Sequence, residues 1–340
     1  MIKYDVNIDL ANNIKQEIST LLNTDKKHIL SKPNSFACLF ELDLNKYKNP
    51  VLVFKTEEPG SKQLIAAQYD RIEGVCYDMI NHLVNDCIVM GATPLLVQDA
   101  IICGKMDDKI VGRIVKAISN ACLENECILT GGETSEQPSV LGDDSYILTS
   151  SIIGVVEKDS IIDGSNIVDG DIVIGLPSSG VHTNGYTLIR SLMAQKPEIL
   201  DIKINNMNFI EAILVPHLSY YKSLKGLFGS NSKLKGMAHI TGGGIKENLN
   251  RILPENLNAI IDLNQYDIPE VFKTIRSFGK VSDPEMLRTF NMGVGLALVV
   301  SPEDLGFILS HFAEFNIQAK AIGKITKGNQ TVECVNSFNW

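Results

Sequence analysis

A mixed α/β fold in two halves is predicted by three observations. Short β-rich apolar runs alternate with segments of helical period through most of the chain, the pattern of a mixed architecture. The 340 residues suffice for about two domains of ordinary size, each with its own core. A turn-rich link at 158–170 (KDSIIDGSNIVDG) carries two Asp-Gly pairs near the middle of the chain. It sets a boundary near residue 165, giving domains 1–165 and 166–340.

Each element follows from local pattern. Residues 50–56 (PVLVFKT) read as a strand, and 78–90 as a helix closed by Gly91 with Pro94 following as a breaker. A helix over 106–125, a short buried strand over 127–130 and a longer strand over 146–156 complete the first half. The second half opens with a strand at 171–176, a loop, and a helix at 186–194. Residues 235–240 lead through Gly242, Gly243 and Gly244 into a helix at 245–253. Strand 259–263, helix 269–278, strand 295–300, helix 302–315 and a last strand near 319–325 follow. There is no short repeat, low-complexity tract or coiled-coil heptad.

Composition narrows the function classes. Apolar residues make up 44% and charged residues 21%, the mix of a chain that folds without a partner. Lys plus Arg number 31 against 40 Asp plus Glu, a formal charge of −9 with no long cationic block. That balance disfavours a nucleic-acid surface and leaves room for local pockets that bind small anions. Seven cysteines, Cys38, Cys76, Cys87, Cys103, Cys122, Cys127 and Cys334, are odd in number, scattered and without a CxxC pair. They read as reduced thiols rather than disulfides or zinc ligands. The start, MIKYDVNIDLANN, has acids where a signal peptide needs a basic opening. Apolar stretches such as 292–300 reach about half of the ~20 residues a membrane span needs. The expectation is a soluble, cytoplasmic protein with no membrane partner.

Common catalytic motifs are absent: no GxSxG, HExxH or complete GxGxxG, and no Walker A loop, because Val181 and His182 follow the Gly175-to-Gly180 spacing. Three glycine-rich segments stand out instead. Thr241-Gly242-Gly243-Gly244 precedes a helix, as does Ser178-Ser179-Gly180-Val181-His182-Thr183-Asn184-Gly185, with Asn184 placed to cap it. Gly131-Gly132-Glu133-Thr134 leaves a buried strand. Glycine lets an oxyanion approach the unpaired N–H groups of a helix start, so three such loops in one chain point to phosphate-bearing ligands.

The helix at 78–90 carries a polar stripe. At 100° per residue, Asp78, Asn81, His82, Asn85 and Asp86 fall within about 140° of arc, opposite Met79, Ile80, Leu83, Val84, Cys87 and Ile88. The stripe could simply face water, but it lacks the Lys and Glu pairs of a solvent face. Hard cations such as Mg²⁺ take carboxylate, phosphate and water oxygens. Asp86 and Asp78, with Glu57 or Glu58 and Glu133, could converge on such an ion, and Lys62 could neutralise a phosphate. Spacing alone supports a Mg-nucleotide enzyme without a P-loop and leaves its reaction unnamed.

Six segments then carry a resemblance: VNDCIVMGATP (84–94), GGETSEQP (131–138), GVVEKDSIIDG (154–164), GLPSSGVHTNGYTLIR (175–190), AHITGGGIKENLNRILP (238–254) and FNMGVG (290–295). They are colinear and span both halves, and they resemble the phosphoribosylformylglycinamidine cyclo-ligase, or aminoimidazole ribonucleotide synthetase, family. Two departures stand out. Where that family has Thr-Asp-Gly-Val-Gly-Thr-Lys, this chain has Thr56-Glu57-Glu58-Pro59-Gly60-Ser61-Lys62, and a few extra residues lie around 71–74.

The resemblance implies a two-domain fold shared with formylglycinamidine ribonucleotide amidotransferase, selenophosphate synthetase and thiamine-phosphate kinase. The N-terminal sheets of a homodimer form a barrel in that fold, the C-terminal half is an α/β sandwich, and ATP and substrate meet between them. It implies ring closure of formylglycinamidine ribonucleotide with ATP and Mg²⁺, and K⁺ as an optional monovalent ion. Glu57 and Asp86, with Asp78 and Glu133 as further candidates, are then assigned to the metal. Lys62, Gly131, Gly132 and Thr134 are assigned to ATP. Ser178, Ser179, Gly180, His182, Asn184, Thr241, Gly242, Gly243 and Gly244 are assigned to the substrate. Lys62, His182 and His239 are the catalytic candidates, while His28, His82, His217 and His311 are read as structural. Two other readings stay open: a different ATP-dependent enzyme of the superfamily, and a non-catalytic nucleotide-binding paralogue motivated by Glu58-Pro59.

Overall fold

The computed structural model describes residues 28–32 and 35–340, so the reading of the N-terminal segment falls outside the described residues. The chain divides into two compact units. The first runs to Cys87 and resumes over Ala92–Lys158; the second takes Ile88–Gly91 and Asp159–Trp340. No described helix is long and apolar enough to cross a membrane. All seven cysteines are free thiols.

The first unit is a four-stranded sheet with helices α1 (Lys62–Gln68), α2 (Ile72–Ile88) and α3 (Asp108–Glu124). Its strands are β1 (Pro50–Glu57), β2 (Thr93–Cys103), β3 (Ile128–Glu136) and β4 (Tyr146–Glu157), in the order β1-β4-β2-β3. Only β2 and β3 run parallel, joined by α3 as the crossover. Asp107 caps α3, its carboxylate accepting from the N–H groups of Lys109 and Ile110.

Three boundaries differ from expectation for physical reasons. α2 starts at Ile72, not Asp78: Gly74 weakens the local helix signal, but Val75 and Cys76 extend the apolar stripe and are fully buried. Pro94 does not break the chain. It lies at the start of the unpredicted strand β2, where the ladder with β4 shifts register between Pro94 and Leu96. β3 continues to Glu136, so Gly131 and Gly132 lie inside a strand rather than in a turn between a strand and a helix.

α2 lies directly on β4. The Ser150 hydroxyl reaches Met79 Sδ at 3.3 Å, and a Cβ on Gly154 would run into Cys87 Sγ. Gly154→Ala is expected to force the helix outward and to cost about 1–3 kcal/mol, read as a lowered melting temperature. An unchanged melting temperature would contradict this packing.

The second unit is built on a six-stranded sheet. Its strands are β5 (Ile172–Pro177), β8 (Leu234–His239), β9 (Leu257–Asp262), β10 (Val294–Val300), β11 (Lys320–Lys327) and β12 (Val332–Val335). The order is β12-β9-β11-β5-β10-β8, and β6 (Lys203–Ile204) and β7 (Met207–Asn208) form a separate hairpin. Every residue of β10 is buried, as its unbroken apolar run requires of a strand covered on both faces. The helices are α4 (Tyr186–Gln195), α5 (Phe209–Ile213), α6 (Tyr221–Leu224), α7 (Gly244–Asn250), α8 (Glu270–Gly279), α9 (Asp283–Thr289) and α10 (Leu305–Glu314). β6, β7, β12 and the helices α1, α5, α6 and α9 are not among the elements expected from sequence.

The topology gathers three motifs. β5 and β8 both flank β10 and run antiparallel to it, with Pro177 opposite Val294 and His239 opposite Leu296. The C-terminal ends of β5 and β8 therefore meet the start of β10. The loops at 178–185 and 240–243 and the segment at 290–293 emerge at one edge of the sheet.

Candidate active site

In the first unit, the alternation of β1 turns Lys55 and Glu57 to the same face. There they meet the polar stripe of α2. Lys55 Nζ lies 2.6 Å from Glu57 Oε1 and 3.0 Å from Asp86 Oδ2. His82 Nε2 stands 3.8 Å from Glu57 Oε1 and 3.6 Å from Asp86 Oδ2. Burial works against the Lys55 ammonium, but the two carboxylates outweigh it and raise its pKa. Of Glu57 and Glu58, it is Glu57 that reaches this cluster, and Glu58 is exposed. His82, read from sequence as structural, belongs to this cluster.

The stripe does not face water. Asp78 and Asn85 are fully buried and Asn81 and His82 nearly so. Asn81 Oδ1 accepts from Asn125 Nδ2 at 2.8 Å, tying α2 to the C-terminus of α3. Lys62 opens α1 and turns inward, its Nζ 2.8 Å from both carboxylate oxygens of Asp78, with both side chains fully buried. Burial pulls the Lys62 ammonium below its usual range, against the opposing attraction of Asp78. The residue assigned from sequence to phosphate, Lys62, and a residue assigned to metal, Asp78, thus form an ion pair in the interior between α1 and α2.

Gly131 adopts φ +128°, and a Cβ on Gly132 would run into the backbone and carboxylate oxygens of Asp99 on β2, where the β2–β3 register shifts. The glycine pair is thus a bulge that makes room for Asp99, which sequence reading missed. Glu133 is an exposed β3 residue paired in register with Ala100, and Thr134 pairs with Ile101. Glu133 joins no metal-ligand cluster among the described residues.

Burial pushes the Asp99 carboxyl up to about 7. The unfolded group ionises near 4, so between about pH 4 and 7 the folded state holds a proton that the unfolded state lacks. This group's contribution to stability therefore falls as pH rises through that window. Asp99→Asn is expected to gain melting temperature relative to the parent between pH 5 and pH 8. An equal difference at both pH values would contradict the shift.

In the second unit, the loop after β5 is fixed by Asn291. Its Oδ1 accepts from the Ser178 hydroxyl at 2.9 Å and its Nδ2 donates to Gly180 O at 2.9 Å. The Ser179 hydroxyl donates to Pro216 O at 2.6 Å, and the Ser179 N–H donates to His182 Nε2 at 3.1 Å. His182 is held at φ +61°, a conformation rarely taken by a residue with a Cβ. The cap of α4 is Gly185 at φ +80°, not Asn184. Asn184 instead places Oδ1 3.3 Å from where a Cβ of Gly242 would stand, so the two glycine loops adjoin. Asn248 Nδ2 donates to Gly242 O at 3.1 Å and Gly244 O at 2.8 Å, while Gly243 at φ +91° caps α7.

Three buried imidazoles collect beside these loops. The His182 and His217 rings stack with centroids 3.8 Å apart, and His217 Nε2 is 2.9 Å from His239 Nε2. His217, read as structural, is therefore part of the cluster. A Cβ on Gly295 would run into Tyr220 Oη and approach His182 Cε1 at 2.8 Å, so this glycine opens the space for the cluster. Tyr220 Oη donates to Pro177 O at 2.8 Å. His311 hydrogen-bonds Ser223 O at 2.7 Å, and His28 packs against Phe40, in line with structural roles.

The donor sets differ in kind. Glu57 and Asp86 aim carboxylate oxygens at one cationic group, the Lys55 ammonium, and such oxygens suit a hard divalent ion. The three imidazoles suit softer metals and do not fit Mg²⁺. The acid cluster of the first unit therefore fits Mg²⁺.

Comparison with known proteins gives a consistent picture. Family models described as AIR synthase related protein match residues 39–156 as the N-terminal domain and 168–335 as the C-terminal domain. The phosphoribosylformylglycinamidine cyclo-ligase of Geotalea daltonii is 38% identical, with 97% of this chain and 96% of that one covered. The enzyme of the same name from Clostridium botulinum (strain Langeland) is 40% identical over 92% of each chain. Among solved structures, the thiamine-monophosphate kinase of Stenotrophomonas maltophilia superposes with TM-score 0.67 at 14% identity, covering 97% and 96%. Hydrogenase maturation protein HypE in complex with ATP gives TM-score 0.67 at 14% identity, covering 96% and 90%. These structural likenesses show a shared fold.

Proposed function

The chain belongs to the AIR synthase family, and from that membership we propose that it is a phosphoribosylformylglycinamidine cyclo-ligase. It closes formylglycinamidine ribonucleotide to aminoimidazole ribonucleotide, converting ATP to ADP and phosphate, as a cytoplasmic enzyme of purine biosynthesis. The observation that carries this reading is the similarity, over nearly the whole chain, to enzymes of that name.

The formyl amide is a poor electrophile because its oxygen is a bad leaving group. Transfer of the γ-phosphoryl group to that oxygen forms an iminophosphate, the neighbouring amidine nitrogen attacks the carbon, and phosphate leaves. Closure is intramolecular, so the protein's work is positioning and charge neutralisation.

Glu57 and Asp86 would hold Mg²⁺, which when bound neutralises charge on the transferring phosphoryl group. Lys62 and Asp78 act beneath them by fixing α1 to α2. The Gly131–Gly132 bulge and Thr134 offer backbone groups to the nucleotide. The loops carrying Ser178, Ser179, Gly180, Asn184 and Thr241–Gly244 offer N–H groups to the ribose phosphate and amidine. His217 and His239 share a hydrogen bond in which one ring donates and the other accepts. With His182 stacked on His217, they can take the proton the amidine loses.

A homodimer fits the sheet of the first unit. Leu52 and Phe54 on β1 are exposed, and alternation turns them away from the face that carries Lys55 and Glu57. Two copies pairing these faces would cover the apolar side chains. The test is direct: purified protein incubated with ATP, Mg²⁺ and formylglycinamidine ribonucleotide should yield the aromatic amine and one ADP per turnover. No amine and no substrate-dependent ADP would overturn the assignment.

A further inference from the structure

We propose that Lys55 is a tethered cation that stands in for a divalent ion between Glu57 and Asp86 and must be displaced before that ion binds. The inference rests on the reading of Glu57 and Asp86 as metal ligands.

The geometry is specific. A single ammonium touches one oxygen of a carboxylate two residues along its own strand, at 2.6 Å, and one oxygen of a carboxylate on α2, at 3.0 Å. The Lys55 side chain is 37% exposed and those of Glu57 and Asp86 about a fifth, so solvent screens these contacts only in part. His82, at 3.6 to 3.8 Å from the same oxygens, is a further basic group facing them.

Together, Lys55, Glu57 and Asp86 carry a net charge of −1, whereas the carboxylates alone carry −2. A free divalent ion must therefore displace an ammonium that cannot leave, and must overcome its repulsion at close range. A divalent ion arriving with phosphate groups gives the displaced ammonium a new anionic partner. Lys55 thereby makes the site selective for a metal–nucleotide complex over the free metal. Sequence spacing places Lys55 beside Glu57 on the strand, but only the fold brings Asp86 to its other side.

The test is Mn²⁺ binding without nucleotide, followed by loss of the free-ion electron paramagnetic resonance signal. Lys55→Met should bind Mn²⁺ at least about tenfold more tightly than the parent, and Lys55→Gln likewise, whereas Lys55→Arg should bind as weakly as the parent. Adding Asp86→Asn to Lys55→Met should abolish the gain. Circular dichroism melts show that each variant is folded. Equal affinity in the parent and both neutral variants would overturn the inference, as would a gain that survives Asp86→Asn. If Asp86→Asn removes Mn²⁺ binding while Lys55→Met leaves it unchanged, the ligand assignment stands and the role of Lys55 falls. If Asp86→Asn changes nothing, both fall.

Discussion

Asp86→Asn is expected to lower substrate-dependent ADP release by about 10²–10³-fold, the scale of losing one group that stabilises transition-state charge, with the melting temperature nearly unchanged. The amide keeps the shape of the carboxylate, and Asp86 lies at the rim of the stripe with about a fifth of its side chain exposed. The substitution removes the negative charge a hard cation requires. It also leaves Lys55 with Glu57 as its remaining acidic contact in this cluster, so the fold keeps an ion pair there. ADP release at the parent rate would show that Asp86 is not part of the phosphoryl-transfer machinery.

The largest stability effect is expected about two turns earlier on α2. Asp78→Ala leaves the Lys62 ammonium buried without its carboxylate, and breaking a buried pair on one side costs about 3–5 kcal/mol. Lys62→Met alone strands the carboxylate and should cost a similar amount. The double variant Lys62→Met/Asp78→Ala removes both charges, and its loss should be well below the sum of the two single losses. Denaturant unfolding of the four proteins in this cycle reads the coupling directly. Additive losses would show that the two groups do not stabilise each other.

These two residues also show where sequence reading stops. The polar stripe of α2 was visible because helical period alone places Asp78, Asn81, His82, Asn85 and Asp86 on one face. Whether that face meets water, an ion or a lysine depends on what packs against it. Asp78 met Lys62, sixteen residues earlier, while Asp86 met a strand carrying Lys55 and Glu57. No local pattern announces such encounters. The glycine signals divided in the same way. Gly243 was legible as the start of a helix, but Gly131 and Gly132 read identically and proved to be a bulge in a parallel strand, because a glycine pair marks unusual backbone without saying which kind. His217 carries no motif of its own. The chain that follows α5 brings it between His182 and His239, which the sequence had singled out by their loops.

The central claim is that ATP activates the formyl oxygen and that this oxygen leaves as part of phosphate. Substrate labelled with ¹⁸O in the formyl group tests it most directly. The account predicts that the released phosphate carries the label in a one-to-one ratio with aminoimidazole ribonucleotide. Product formed with unlabelled phosphate, or phosphate released without ring closure, would contradict it.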